Sequence, residues 1–196
     1  MLKTAAIVLA AGAARRFGRP KQLLELDGES LVRRACRIAS ESGCSPVILV
    51  LGAHAETITA EGIPEGVCRV MNDDWERGMG NSLAKGAALL GEAEAVIVLL
   101  ADQPGVTADT LSGMQASLAA GGASLLLCDH GEAMGPPALF LARHFPELAR
   151  LDGEEGGRSI TRRYPDSLAT HHAPEARWDI DGQEAWETFN QVRPPE

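Results

Sequence analysis

The stretch "TAAIVLAAGAARRFGRPKQLL", Thr4–Leu24, sets an apolar run against a loop that carries two glycines and four of the chain's eighteen basic residues. A continuous apolar run such as Thr4 to Leu9, ending in Ala-Gly, is the pattern of a strand buried on both faces, as in a parallel sheet. The loop then falls at the strand's carboxyl end, where open parallel sheets hold their ligands. Its cations stand out because the 196-residue chain is acidic, with formal net charge -9. Nucleic acid or an anionic membrane would require a broad basic surface. A short basic cluster in an acidic protein serves a small anion instead, or merely decorates a solvated loop.

Outward from that stretch, strand-like and helix-like segments alternate. Glu29 to Ser42 carries Leu31, Val32, Ala35, Ile38 and Ala39 at helical spacing, and Gly43 supplies the stop. Pro46 to Leu51 and Val67 to Met71 read as strands, Asn81 to Leu90 as a helix, and Ala95 to Ala101 as the most apolar strand. Thr107 to Ala120 reads as a helix capped by Thr107, followed by a strand over Ser124 to Cys128. This order predicts a mostly parallel sheet with helices on both faces. Pro136 to Leu141 opens with two prolines, which predicts an edge or antiparallel strand. Short helices are expected over Arg143 to Leu151 and Gly157 to Tyr164, and short strands over Ser167 to His172 and Arg177 to Ile180. Gln183 to Val192 reads as a closing helix. No linker or repeat interrupts the pattern, so one domain, 1–196, is expected.

Length and a hydrophobic content of 45% are those of a globular chain with a substantial core. Cys36, Cys44, Cys68 and Cys128 form no C-x-x-C pair and read as reduced thiols serving as small hydrophobes. No targeting segment opens the chain, and no apolar run reaches the roughly 18 residues of a membrane span. A cytoplasmic location is the expectation.

Polar groups placed just after buried strands are the site candidates. Gly12 begins neither a G-x-G-x-x-G fingerprint nor a P-loop. It does allow a close backbone approach, and Arg16, Gly18 and Lys21 follow along a loop able to hold a triphosphate. Asp102 is delivered by seven apolar residues to the sheet's carboxyl edge, where it is either a capping or turn aspartate or a ligand for Mg²⁺ with triphosphate oxygens. Ser82, near a helix start, either caps that helix or donates to a base or ribose. His171 and His172 lack a third ligand at metal spacing, and no Ser-His-Asp or Cys-His arrangement is visible.

The motif L-A-A-G-x-x-x-R-x-G-x-x-K, here Leu9, Ala10, Ala11, Gly12, Arg16, Gly18 and Lys21, resembles the signature of the MobA-like nucleotidyltransferases. The resemblance continues through "NDDWERGMGNSL", "LLADQPGVT", "GPPALF", "GEEGGR" and "WDIDGQEAW", and so covers almost the whole chain. Ala11 and Asp102-Gln103-Pro104 make it similar to the molybdenum cofactor cytidylyltransferases. The resemblance implies a three-layer α/β/α Rossmann-like nucleotidyltransferase fold, mostly parallel with one antiparallel strand. It implies CMP transfer from CTP to the terminal phosphate of molybdopterin, with release of pyrophosphate.

By the same resemblance, Leu9, Ala10, Ala11, Gly12, Arg16, Lys21, Ser82 and Asp102 bind the nucleotide, and Arg16, Lys21 and Asp102 act in catalysis. Asp102 and Asp181 would hold Mg²⁺, with Asp179 as the substitute for Asp181, and Arg158 would meet the acceptor's phosphate. A recipient molybdoenzyme is an implied partner; nucleic acid and membrane are not. Ala14, Phe17 and Gly182 depart from the family's usual Ser, Met and Thr. Another nucleoside triphosphate, a sugar or alcohol phosphate acceptor, or a cofactor carrier without turnover are the alternative readings.

Overall fold

The computed structural model describes residues 2–14 and 17–193. In chain order the elements are β1 (Thr4–Ala10), the two-residue strands β2 (Glu25–Leu26) and β3 (Glu29–Ser30), α1 (Leu31–Glu41) and β4 (Val47–Leu51). Then come α2 (Ala55–Ala60), β5 (Val67–Met71), α3 (Met79–Ala87), β6 (Ala95–Leu100) and α4 (Ala108–Ala120). The chain continues with β7 (Leu125–Asp129), β8 (Met134–Leu141), α5 (Phe145–Leu148), α6 (Arg158–Arg163), β9 (Leu168–His172) and α7 (Gln183–Val192).

Seven strands form one sheet in the order β5-β4-β1-β6-β8-β7-β9, and β2 pairs with β3 as a separate small hairpin. β8 runs antiparallel to both of its neighbours; every other pairing in the large sheet is parallel. Strand β1 shows why the layers form. Its residues alternate between two cores, Ala6, Val8 and Ala10 facing one and Ala5, Ile7 and Leu9 the other. The first core is closed by Val32, Ala35 and Ile38 of α1 and Leu111, Met114 and Leu118 of α4. The second is closed by Leu83 and Ala87 of α3, Leu148 of α5 and Ile160 of α6. A third cluster, Leu24, Leu26, Leu31, Ile180 and Phe189, ties α7 to the β2–β3 hairpin.

The chain steps from β1 out to β4 and β5, then returns to place β6 on the other side of β1. Strand order therefore reverses between β1 and β6, and Leu9 pairs with Leu100 so that their carboxyl ends lie level. This is the crevice where an open α/β sheet receives ligands. Residues 11–14 and Asp102 both leave the sheet there.

One expectation is narrowed and several need correction. β8 meets the expectation of an edge or antiparallel strand by the second alternative, being antiparallel and inside the sheet. Its prolines are accommodated because β6 pairs only with Ala138 to Leu141, and the β7 register breaks between Leu127 and Cys128, opposite Pro136 and Pro137. Arg177 to Ile180 is not a strand. Pro174–Arg177 forms a 3₁₀ turn, and Ile180 N–H then donates to Asp102 O at 3.1 Å, holding the segment against the end of β6 rather than in a ladder. The helix expected from Glu29 starts at Leu31, because Glu29 and Ser30 pair with the preceding hairpin strand. The short helix α2 carried no clear apolar periodicity. Cys36, Cys44 and Cys128 are buried, but Cys68 lies exposed on the outermost strand. Among the described residues, no helix is long and apolar enough to cross a membrane.

Candidate active site

Two adjoining cavities open at the crevice. The first, of about 370 Å³, is lined by Leu9, Ala11, Gly12, Lys21, Ser82 and Asp102, with Trp75 and Met79 on the far wall. The second, of about 420 Å³, has a largely apolar wall that includes Leu83, Leu127 and Phe140, with Arg158, Arg162 and Asp179 among its polar residues. Leu9, Met79, Leu100 and Glu154 line both, so the two spaces share a partition.

The first loop is shaped by a residue that sequence reasoning passed over. Gln22, only 3% exposed, donates from Nε2 to the carbonyls of Ala10 at 3.2 Å and Gly12 at 2.9 Å. Ala53 N–H takes the Ala11 carbonyl at 3.1 Å, and His54 Nε2 lies 3.0 Å from the Ala13 carbonyl. The carbonyls of residues 10–13 are thus drawn back into the protein. The N–H groups of Gly12, Ala13 and Ala14 make no bond to the described residues. Successive unpaired amides form an anion-binding concavity. Ala10 itself packs in the core behind the cavity wall. Arg16 lies outside the described residues.

Lys21 projects from the 3₁₀ turn Lys21–Leu23 into a ring of three carboxylates. Its Nζ forms an ion pair with Asp102 Oδ2 and lies 3.2 Å from Asp181 Oδ1 and 3.9 Å from Asp179 Oδ1. Burial works against the ammonium, but the charge and hydrogen bond of Asp102, then Asp179 and Asp181, outweigh it and hold the Lys21 pKa above its ordinary value. Burial first, and then the negative charge of Asp102, push the Asp179 carboxyl up to about 7. Asp102 Oδ1 is buried and has no hydrogen-bond partner among the described residues.

That orphaned hard oxygen, aimed into a carboxylate cluster, fits a divalent cation. Among the described residues no three His, Cys, Asp or Glu side chains make a ready-built metal cage. Mg²⁺ does not need one, since it takes one or two protein carboxylates and completes its shell with water and phosphate. Gln103 keeps the aspartates together. Its Nε2 donates to Pro136 O and Ala176 O, both at 3.0 Å, so it staples the C-terminal segment and β8 to the end of β6.

The wall opposite the basic loop is fitted closely. Gly80 N–H donates to Gly153 O at 2.8 Å, and a Cβ on Gly78, whose φ is +113°, would fall 2.5 Å from Gly153 O. Only glycine meets both demands, which explains "GMG" facing "DGE". Asn72, fully buried, donates to Ser82 Oγ at 2.9 Å. Gln22 and Asn72 sit inside recognisable motifs, but nothing in their spacing marks them as site-forming.

Amides at residues 12–14 that no described residue bonds, a lysine among aspartates and a switch-point crevice on this sheet suit the binding of a phosphorylated ligand. The MobA-like NTP transferase domain matches residues 6–168, and the chain belongs to that family. Asp179 and Asp181 lie beyond the matched span. Among its relatives, nicotine blue oxidoreductase of Paenarthrobacter nicotinovorans is 34% identical over 166 residues, covering 81% of either chain. A probable molybdenum cofactor guanylyltransferase of Opitutus terrae is 30% identical over 162 residues, covering 81% of this chain and 76% of that one. Among solved structures, Rv0371c of Mycobacterium tuberculosis superposes with TM-score 0.82 at 27% identity, covering 97% of this chain and 98% of its own. The same mycobacterial protein has been crystallised in complex with manganese.

Proposed function

We infer that this nucleotidyltransferase moves CMP from CTP onto the terminal phosphate of a molybdopterin-type cofactor, with Mg²⁺, the whole chain acting as one domain. The observation that carries the reading is that the two cavities share a partition, with Lys21 and Asp102 lining the first and Asp179, which faces Lys21, lining the second. A triphosphate in the first cavity would lie along the free amides of residues 12–14, with Lys21 on its phosphates. The largely apolar second cavity suits an acceptor with a flat, poorly hydrated body better than a sugar, whose hydroxyls would need many polar partners. Arg158 would meet that acceptor's phosphate, beside Arg162, which is ion-paired with Glu155.

In-line transfer then follows. An acceptor phosphate oxygen forms a bond to the α-phosphorus as the bond to the β-phosphate oxygen breaks, and pyrophosphate leaves with the electron pair. Lys21 stabilises the charge that gathers on the departing pyrophosphate. Asp102 and Asp181, with Asp179 beside them, would hold the ion, which when bound neutralises triphosphate charge. Arg16, in the same loop, would add a second cation.

Guanylyl transfer is the second reading, favoured by the name of the Opitutus terrae relative. Pyrophosphate release from purified protein with molybdopterin, Mg²⁺ and each nucleoside triphosphate in turn separates the two. CTP giving the fastest release is the expected result. A clear preference for GTP replaces cytidylyl by guanylyl transfer, and cofactor binding without turnover on any triphosphate makes the protein a carrier.

A further inference from the structure

We propose that Asn72 fixes Ser82 as a hydrogen-bond donor toward the nucleobase, so that the first cavity selects bases by the acceptor they present there. This rests on the first cavity being the nucleotide seat. The reasoning follows one chain of hydrogen bonds whose polarity is set at its far end. Asp74 N–H lies 3.1 Å from the side-chain oxygen of Asn72. A backbone N–H can only donate, so the Asn72 atom facing it must be the carbonyl oxygen, and the other terminal atom must be the NH₂. That NH₂ donates to Ser82 Oγ at 2.9 Å. The hydroxyl therefore accepts from Asn72 and must spend its single hydrogen elsewhere.

The helix does not take that hydrogen. Gly78 O, the carbonyl one turn back, takes Ser82's own N–H at 3.4 Å but not its hydroxyl, and no described residue accepts from Ser82 Oγ. What remains is the cavity, which Ser82 lines together with Leu9, Ala11 and Gly12. Asn72 is fully buried at the end of β5, with its N–H on Leu51 O at 2.8 Å, and Ser82 is 4% exposed. The Asn72 amide is held at both ends, by Asp74 N–H and by Ser82 Oγ. The site thus offers the base an O–H donor whose hydrogen no described protein group takes. Cytosine presents adjacent acceptors, O2 and N3, whereas the corresponding guanine edge presents N1–H and N2–H₂. Asn72 is a positioning residue, acting only through Ser82.

Asn72→Asp tests the relay, because the shape is kept and the polarity reversed. One carboxylate oxygen still accepts from Asp74 N–H; the other cannot donate, so it takes the Ser82 hydrogen and leaves lone pairs facing the base. Calorimetric binding of CTP and GTP to the full chain should show the CTP:GTP affinity ratio falling about tenfold, the worth of one lost hydrogen bond. In a Ser82→Ala background, Asn72→Asp should leave the ratio where Ser82→Ala put it. Asn72→Ala, which frees the hydroxyl to rotate without reversing it, should give a smaller fall and covers the case in which the aspartate variant does not fold. Equal weakening of both nucleotides, or an effect that persists without the Ser82 hydroxyl, would overturn the relay while leaving the nucleotide seat in place. Unchanged affinity for every nucleotide in Ser82→Ala would remove the base from this wall, and with it both the seat and the relay.

Discussion

Replacing Gln22 with methionine keeps an unbranched side chain of similar length and deletes the two bonds that shape the first loop. The Ala10 carbonyl belongs to a residue only 2% exposed, so water does not readily replace its lost partner. A buried carbonyl left unsatisfied costs about 1–3 kcal/mol. Gly12 is exposed, so its carbonyl recovers water and loses only the net worth of a bond, about 0.5–1.5 kcal/mol. The sum, about 1.5–4.5 kcal/mol, corresponds to a fall in Tm of roughly 3–18 °C for a chain of this size. Freed carbonyls can also swing into the phosphate seat, so KM for the triphosphate should rise about tenfold or more.

Calorimetry and initial-rate kinetics measure the two effects separately. Gln22→Glu adds an internal control. At pH 8 its carboxylate faces two carbonyls and should be worse than methionine. As pH falls the buried acid takes a proton, regains one donor, and the Tm deficit should shrink. A Gln22→Met protein with Tm within a degree of wild type and an unchanged KM would refute the account of how this loop is built.

Removing the lysine charge by Lys21→Met should slow transfer about 100- to 1,000-fold in single-turnover assays, as loss of one charge-stabilising donor does elsewhere. The Asp179 carboxyl, raised to about 7, carries in the folded chain a proton that the unfolded chain has lost by about pH 4. Its contribution to stability is therefore fully present at acid pH and falls as pH rises through that window; Asp179→Asn should flatten this part of the urea-derived stability profile. A divalent ion must displace the same proton, so Mn²⁺ affinity measured by calorimetry should weaken from pH 8 to pH 6, with proton release from the protein visible on changing buffer. Gly105→Ala would set a Cβ 2.0 Å from Glu175 O and push the C-terminal segment off the end of β6. A loss of about 1–3 kcal/mol by chemical denaturation, together with weaker Mn²⁺ binding, is expected.

The layered architecture was legible because burial on both faces leaves so plain a mark: β1, β4 and β6 are almost uniformly apolar, and α1 carries its core residues on one face. The place of β8 was not legible, since two prolines argue for an edge until a register break opposite them removes the conflict. Lys21, Asp102 and Asp181 stood out as polar residues at the ends of apolar segments or within a family motif. Their mutual distances could not be read, because Lys21 and Asp181 lie 160 residues apart and meet only when Ile180 pairs with Asp102. Gln22 and Asn72 were silent, since a buried amide is recognised by what it bonds and not by its neighbours in sequence.

The sequence by itself determined a parallel α/β sheet, a basic loop at the mouth of its first strand and an aspartate at the mouth of a neighbouring one. Periodicity and burial are local properties that residue order records directly. Only the tertiary structure decided that Lys21 lies within one ring of carboxylates, that two cavities share a wall beside it formed by Leu9, Met79, Leu100 and Glu154, and that Asn72 donates to Ser82. Each of those depends on distances between segments remote in the chain, and such distances are set by how the layers pack.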